Sequence, residues 1–313
     1  CLGNRVDQMI PVRIPIESRI VDVAIGGEHT LLLDEFGKDR VMDTPISEQA
    51  ILGAAMGAAM AGLRPIAEIM FSDFLAVCWD IIANQIAKTR YMSDGQINIP
   101  LVIRTANGGG SKFGAQHSQS LENWSMMIPG LKVVAPSSPR DVLGLMNSAV
   151  NDPDPVIFYE HKSLYASKEE LESTELSIPL GQANILHEGS DITIIGLALM
   201  AQRAKKAAVE LKEKHNINAK VIDLRTLVPL DLQSIKSAIN ETGLAMTVEE
   251  NPRLCGWGAE ISSLITEHCF SNLKGPVTRL TTPHVPLPSA DILEDNTIPS
   301  VDVIVKEVIK KVK

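Results

Sequence analysis

Apolar residues in this chain form two kinds of segment: short continuous runs, and longer stretches with helical spacing of apolar side chains. The alternation of the two predicts parallel strands separated by helices. Continuous apolar runs are typical of strands that helices cover on both faces. In the first half we predict strands at residues 65–70, 100–104, 131–135 and 156–159, and helices at 47–62, 75–91 and 140–150.

A charged, mixed stretch after residue 165 interrupts this alternation and predicts a linker with room for one strand. The pattern then restarts with strands at 192–197, 219–224, 244–248 and 277–280, and helices at 201–214, 232–239, 258–268 and 301–311. We therefore predict an α/β protein of two domains. The first domain spans residues 1–165, the linker 166–190, and a smaller second domain 191–313.

Composition narrows the possible classes of function. A net charge of −9 and the lack of a long Lys/Arg run argue against a general nucleic-acid surface. The four cysteines are scattered, which excludes a disulfide framework and a zinc cluster and favours a reducing compartment. No apolar run reaches the length of a membrane span, and no signal segment opens the chain. We therefore expect a cytoplasmic protein that binds neither a membrane nor nucleic acid.

The most informative segment is Thr44-Pro45-Ile46-Ser47-Glu48, which precedes a helix of small apolar residues. Thr44 or Ser47 can cap this helix, and Pro45 suits a first helical position. Small residues recur every fourth position at 53, 57 and 61, so another backbone can approach that face closely. Taken alone, Glu48 is explained by the preference of carboxylates for the positive end of a helix.

The surrounding motifs change that interpretation. They include 62–65 (GLRP), 88–93 (KTRYMS), 116–119 (QHSQ), 129–134 (PGLKVV) and 292–296 (ILEDN). In this order, they and the segment ending at Glu48 resemble the β subunit of the thiamine-diphosphate-dependent first component of 2-oxo acid and acetoin dehydrogenase complexes. The resemblance runs from about residue 31 to the C-terminus and implies a transketolase-like pyrimidine-binding domain followed by a transketolase-C-like domain. Residues 1–30 depart from the family pattern.

The resemblance implies roles for residues around the cofactor. Glu48 is expected to hydrogen-bond a ring nitrogen of the aminopyrimidine from an apolar pocket, where burial keeps its proton available. Ile46 is expected to contact the same ring, and Phe74 to stack on it. Without the resemblance, Phe74 is an ordinary core aromatic at a strand–helix junction.

His117 follows the glycine run at 108–110, near the end of a predicted strand, where ligands of α/β proteins usually bind. The resemblance implies that His117 faces the substrate and the incoming lipoyl group as a proton donor or binding group. Gln116 and Ser118 are candidates for positioning it. The glycine run lacks the spacing of a phosphate loop, so we interpret it as an adaptable loop at the site entrance.

Several further segments give weaker indications of function. The stretch 160–165 (EHKSLY) is interpreted as a strand end, and its form favours the acetoin members of the family. Segments 249–251 and 256–258 are placed at turns of the second domain without a catalytic role, and 295–299 at a turn.

In some relatives a structural potassium ion is held by backbone oxygens, and the matching positions are Leu101, Ala149, Val150, Asp152 and Asp154. The alternative there is an ordinary turn at a helix end.

A complete site also needs a cradle for the diphosphate and Mg²⁺, usually Gly-Asp-Gly with a later Asn. The chain has no Gly-Asp-Gly; its nearest match is Ser93-Asp94-Gly95. The sequence thus predicts half of an active site, completed by an α subunit that holds most of the Mg²⁺ shell, in a two-α, two-β tetramer. We expect it to cleave acetoin and pass the acetyl unit to a lipoyl group on a separate acyltransferase. The alternatives are a pyruvate or branched-chain 2-oxo acid enzyme, and a non-catalytic stabilising subunit.

Overall fold

The computed structural model describes residues 20–25, 30–34, 40–171, 173 and 176–313, so most of the atypical segment 1–30 lies outside the described residues. The strands are β1 Ile20–Ile25, β2 Thr30–Asp34, β3 Ile66–Phe71, β4 Val102–Asn107, β5 Lys132–Val134, β6 Val156–His161, β7 Asn184–His187, β8 Ile192–Gly196, β9 Ala219–Asp223, β10 Thr226–Val228, β11 Ala245–Pro252 and β12 Thr278–Thr282. The helices are α1 Glu48–Met60, α2 Thr89–Met92, α3 Glu122–Met126, α4 Pro139–Asn151, α5 Ala198–His215, α6 Leu232–Thr242, α7 Trp257–Cys269, α8 Asp291–Thr297 and α9 Val301–Val312.

The first large sheet has the order β10-β5-β6-β4-β3. Strands β3 to β6 pair in parallel, and β10 joins the edge antiparallel to β5. Every residue of β6 is buried. Its Val156 and Phe158 pack with α4, while Ile157 and Tyr159 face the core shared with α1. This two-sided burial explains why the predicted strands lack polar alternation.

The second large sheet has the order β12-β11-β8-β9-β7 and is parallel except for β7 at its edge. Along β8, Ile192 and Ile194 pack with α5 and α9, whereas Ile195 belongs to the core that contains α6 and α7. The core on the Ile195 side continues into the first sheet without a break. The two sheets are therefore joined by buried apolar contact.

Two predicted elements differ from the structure, and one strand was not predicted. The predicted helix 75–91 is a 3₁₀ helix Ser72–Cys78, a π helix Ile81–Ile86 and then α2. The predicted turn around residues 295–296 is wrong, because both residues lie in α8. Strand β10 was not predicted, and it extends the first sheet although it lies within the predicted second domain. The domain boundaries at 165 and 191 stay a prediction.

Buried polar contacts also join the two sheets. Ser137, just after β5, donates a 2.6 Å hydrogen bond to Asp223 of β9. Asp141 of α4 pairs with the guanidinium of Arg225 at 2.6 Å. Each of these four residues is at least nine-tenths buried. A buried carboxylate without a partner is costly, and both carboxylates have a partner here. Within the described ranges, no helix is both long and apolar enough to cross a bilayer.

One glycine is required by a close backbone approach. Gly130 has φ +105°, and a Cβ added there would lie 2.0 Å from the carbonyl oxygen of Ala87. We predict that Gly130→Ala lowers the free energy of unfolding by about 2 kcal/mol or more, because strain and a backbone clash combine. The matched control is Gly57→Ala, where the added Cβ meets nothing within 4 Å. That change should stabilise the chain slightly. Urea unfolding of both variants measures the difference, and equal midpoints would contradict the prediction.

Candidate active site

His117 lies in a cluster of aromatic rings at the end of β3. Its ring centroid is 5.0 Å from that of Phe71 and 5.2 Å from that of Phe74, with interplanar angles of 82° and 86°. These are edge-to-face contacts, which orient a ring without fully enclosing it. Phe74 and His117 both remain partly accessible. The structure thus brings together two of the residues that the sequence predicted for the site.

Lys162 contacts the backbone of His117, and this contact was not predicted from the sequence. Its ammonium group donates a 2.6 Å hydrogen bond to the carbonyl oxygen of His117 and lies 5.2 Å from the ring centroid of Phe71. Burial lowers the pKa of Lys162, while the more distant carboxylates of Asp73 and Glu250 oppose that shift. A buried ammonium bonded to a neutral carbonyl is unusual in a purely structural setting and frequent at functional sites.

The structure confirms that segment 160–165 lies at the end of a strand. β6 ends at His161, and the 3₁₀ helix Lys162–Leu164 follows. The strand end carries Lys162 into the His117 cluster, while Glu160 accepts two hydrogen bonds from the guanidinium of Arg104. The sequence signal for Lys162 was present in this segment, but strand assignment alone does not tell which neighbour the side chain contacts.

The loop carrying His117 is anchored by Gln119 rather than by the two residues proposed for that role. The backbone and side-chain N–H groups of Gln119 donate to Asp73 Oδ1 at 3.2 and 2.8 Å. Gln116 is exposed, and Ser118 is buried with no hydrogen-bond partner for its hydroxyl among the described residues. Asp73 immediately precedes Phe74. The same contact therefore fixes His117 against the ring that it touches.

The glycine run is closely packed by side chains of both domains, and its interpretation as an adaptable loop stays a prediction. A Cβ added at Gly108 would lie 2.3 Å from His161 Nε2, and one at Gly110 would lie 2.1 Å from Ser163 Oγ. At Gly109 it would lie 2.6 Å from Ile298 Cδ1. Glycine is accommodated here because both domains pack closely on the backbone and leave no room for a side chain.

Glu250 of β11 ties this loop to the second sheet. Its carboxylate accepts hydrogen bonds from the backbone N–H of Gly109, from Ser120 Oγ at 3.2 Å, and from His161 Nε2 at 2.8 Å. Although burial pushes the pKa of Glu250 upward, His161 and the Gly109 N–H lower it to about 2. Segment 249–251 was predicted to lie at a turn without a catalytic role. It lies inside a strand, and Glu250 supports the loop that carries His117.

Glu48 opens α1, which packs on the 3₁₀ helix that bears Phe74. In the single chain its side chain is half-buried, and Ile46 is 87% exposed. Burial raises the pKa of the Cys78 thiol to about 12, with a further contribution from the nearby Glu48 carboxylate. Cys78 is therefore a protonated core residue. Glu48 and Ile46 form an open rim beside the aromatic cluster, and the predicted roles of Ile46, Glu48, Phe74 and His117 stay predictions.

The predicted potassium ligands lie near one corner of the first sheet, but several of their oxygens have partners. The guanidinium of Arg64 donates to the carbonyl oxygens of Val150 and Asp152 at 2.7 and 3.2 Å. The oxygens of Leu101 and Ala149 accept backbone N–H groups. The side chains of Asp152 and Asp154 pair with cationic side chains. The guanidinium of Arg64 thus already binds two of the carbonyl oxygens predicted to hold the ion. The potassium ion stays a prediction.

A set of side chains arranged as metal ligands was not found in the described part of the chain. Within residues 40–171 and 176–313, no group of three His, Cys, Asp or Glu side chains converges as metal ligands. The nearest match to the diphosphate motif, Ser93-Asp94-Gly95, forms the turn that ends α2, where Gly95 N–H donates to Arg90 O at 2.8 Å.

Comparison with known proteins gives matches along most of the chain. Residues 24–168 match the transketolase pyrimidine-binding domain, and residues 181–304 match the transketolase C-terminal domain. A solved structure described as a split-gene transketolase, inactive beta4 tetramer, superposes with a TM-score of 0.70 at 24% identity, over 85% of this chain and 81% of that one. These matches confirm the predicted fold class of two transketolase-like α/β domains.

Individual proteins similar to this chain indicate a narrower family than the two domain matches do. The β subunit of acetoin:2,6-dichlorophenolindophenol oxidoreductase from Bacillus subtilis is 45% identical, over 88% of this chain and 80% of its own length. The β subunit of the pyruvate dehydrogenase E1 component from Rickettsia conorii is 43% identical, over 90% and 86%. The β subunit of 2-oxoisovalerate dehydrogenase from B. subtilis is also 43% identical, over 84% and 81%.

Removing the ammonium group of Lys162 should loosen the His117 loop. We predict that Lys162→Met speeds amide hydrogen exchange in residues 113–121 roughly tenfold or more, the equivalent of one hydrogen bond from a charged donor. Mass spectrometry of the exchanged peptide measures this, with Lys212→Met, an exposed lysine of α5, as the control. Unchanged exchange at 113–121, or an equal increase in both variants, would show that Lys162 does not hold the loop.

Proposed function

The chain belongs to the β subunits of the acetoin and 2-oxo acid dehydrogenases, and we propose that it is the β subunit of an acetoin dehydrogenase first component that uses thiamine diphosphate. In this proposal it cleaves acetoin together with an α subunit and passes the acetyl unit to a lipoyl group on a separate acyltransferase. Pyruvate and 2-oxoisovalerate are the alternative substrates, since relatives named for them are 43% identical.

One observation carries the proposal. The His117 ring is held against Phe71 and Phe74 by contacts from two other segments, beside an open rim that carries Glu48. The imidazole and the aromatic rings are in contact, and α1, which begins at Glu48, packs on the 3₁₀ helix that bears Phe74. This set suits the pyrimidine end of the cofactor.

When bound, thiamine diphosphate supplies the electron sink that lets a carbon–carbon bond beside a carbonyl break. Glu48 would hold a proton on its carboxyl group toward the pyrimidine, with Ile46 and Phe74 bounding the ring. His117 would hold or transfer a proton at its imidazole on the substrate side. Lys162 and Gln119 keep the His117 loop in place, so the imidazole is positioned before the substrate arrives.

The same proposal requires an α subunit. The described residues leave Ile46 exposed and Glu48 half-buried, so a second surface must cover them for the carboxyl group to act in a dry site. Gly57 of α1 carries no side chain and a Cβ added there would meet nothing within 4 Å, so a partner backbone can approach α1 closely at this position. We propose that the partner supplies the diphosphate and Mg²⁺ cradle in a two-α, two-β tetramer.

The catalytic role of Glu48 separates the proposal from a merely stabilising subunit. We predict that Glu48→Gln lowers acetoin-dependent dye reduction by the reconstituted α–β pair about a thousandfold or more, since it removes the carboxyl group from the cofactor. The control is Asp302→Asn, which also removes a first-turn carboxylate, from α9. Both variants lose a similar helix-dipole contribution of about 0.3–1 kcal/mol. Near-normal activity of an assembled Glu48→Gln pair would support the stabilising role instead.

Substrate choice is tested with the unmodified pair. We predict that dye reduction, measured as kcat/KM, is at least tenfold higher with acetoin than with pyruvate or 2-oxoisovalerate, because a methyl carbinol and a carboxylate demand different polar partners. A higher value for either 2-oxo acid would assign the chain to that branch of the family. It would leave the proposed roles of Glu48 and His117 in place.

A further inference from the structure

A cavity among the described residues lies between the two sheets, away from the Glu48 rim. Its volume is about 1080 Å³, and its walls come from the start of α4, the linker after β6, and the outer face of α5. This volume is at the upper end of the range for small-molecule sites. The proposed function uses none of the charged residues that line it.

The lining is strongly cationic, although the whole chain carries a net charge of −9. Its described lining residues include one carboxylate, that of Glu169, and six cationic side chains, those of Arg140, Lys168, Arg203, Lys205, Lys206 and Arg225. Among the described residues, Lys168, Lys205 and Lys206 have no ion-pair partner within 4 Å. Arg203 donates to a carbonyl oxygen, that of Pro299, at 2.6 Å. So many cations around one concave surface create a positive potential that favours an anion.

The inner wall adds polar groups of the kind that bind phosphate. Five serines line the cavity: Ser137, Ser138, Ser163, Ser167 and Ser177. The N-terminal end of α4 opens into it, and the backbone N–H of Arg140 there already binds the carboxylate of Glu169 at 3.1 Å. Arg225 is 8% exposed, and its guanidinium pairs with Asp141, but its Nε–H has no hydrogen-bond partner in the described part of the chain.

We propose that this interdomain cavity binds a multiply charged, phosphate-bearing anion of the size of a diphosphate or nucleoside diphosphate. Lysines 168, 205 and 206 neutralise the charge, the hydroxyls of Ser138 and Ser167 donate to phosphate oxygens, and the anion displaces Glu169 from the start of α4. Because α4 belongs to the first sheet and α5 to the second, the bound anion bridges the two domains. The site is independent of the proposed function and of the cofactor.

Calorimetric titration of the full chain with inorganic pyrophosphate tests this proposal. The test variant is Lys205→Gln with Lys206→Gln, and the matched control is Lys212→Gln with Lys214→Gln. All four lysines are exposed on α5, and both double variants change the net charge equally, but only the first pair lines the cavity. Any difference therefore reports the cavity and not the overall charge.

The unmodified chain is expected to bind pyrophosphate saturably with a Kd at or below about 1 mM. Affinity should fall at least tenfold in the Lys205/Lys206 variant and less than about twofold in the control, and it should weaken as salt is added. Inorganic phosphate should bind more weakly than pyrophosphate. Equal losses in the two double variants would overturn the proposal, and so would the absence of saturable binding up to about 10 mM pyrophosphate.

Discussion

The buried carboxylate of Glu250 is the interaction on which the rest of the site depends. It belongs to the second sheet, yet its hydrogen-bond donors, Gly109, Ser120 and His161, all belong to the first domain. A buried carboxylate is costly unless its oxygens are satisfied, so these groups must remain together. Two of the donors lie on either side of His117 in sequence. The second domain thereby fixes both ends of the loop that carries the imidazole.

This arrangement separates a closed side of the site from an open one. On the closed side, Lys162, Gln119 and Glu250 hold the His117 loop through buried or partly buried polar contacts. On the open side, Glu48 and Ile46 are presented at the surface of α1 without a covering element among the described residues. The fold therefore positions the imidazole within one chain, and in the proposed function a partner encloses the carboxylate.

The sequence predicted what depends on local pattern and on the family motifs. Apolar runs identified the main strands of both large sheets, and motif matches singled out Phe74 and His117, which the structure places in contact. It did not predict Glu250 as a support for the loop, because the contact with Gly109 spans 141 positions. Nor did it predict β10, whose three residues give no periodicity, or α8, whose Glu294 is stabilised by Lys112 from the distant loop.

Cofactor binding by the separate and combined chains tests the account of a shared site most directly. Calorimetric titration with thiamine diphosphate and Mg²⁺ should show tight binding when this chain and its α subunit are mixed. Each chain alone should bind at least a hundredfold more weakly, because the pyrimidine and diphosphate contacts lie on different polypeptides. Tight, Mg²⁺-dependent binding to this chain alone would contradict the account.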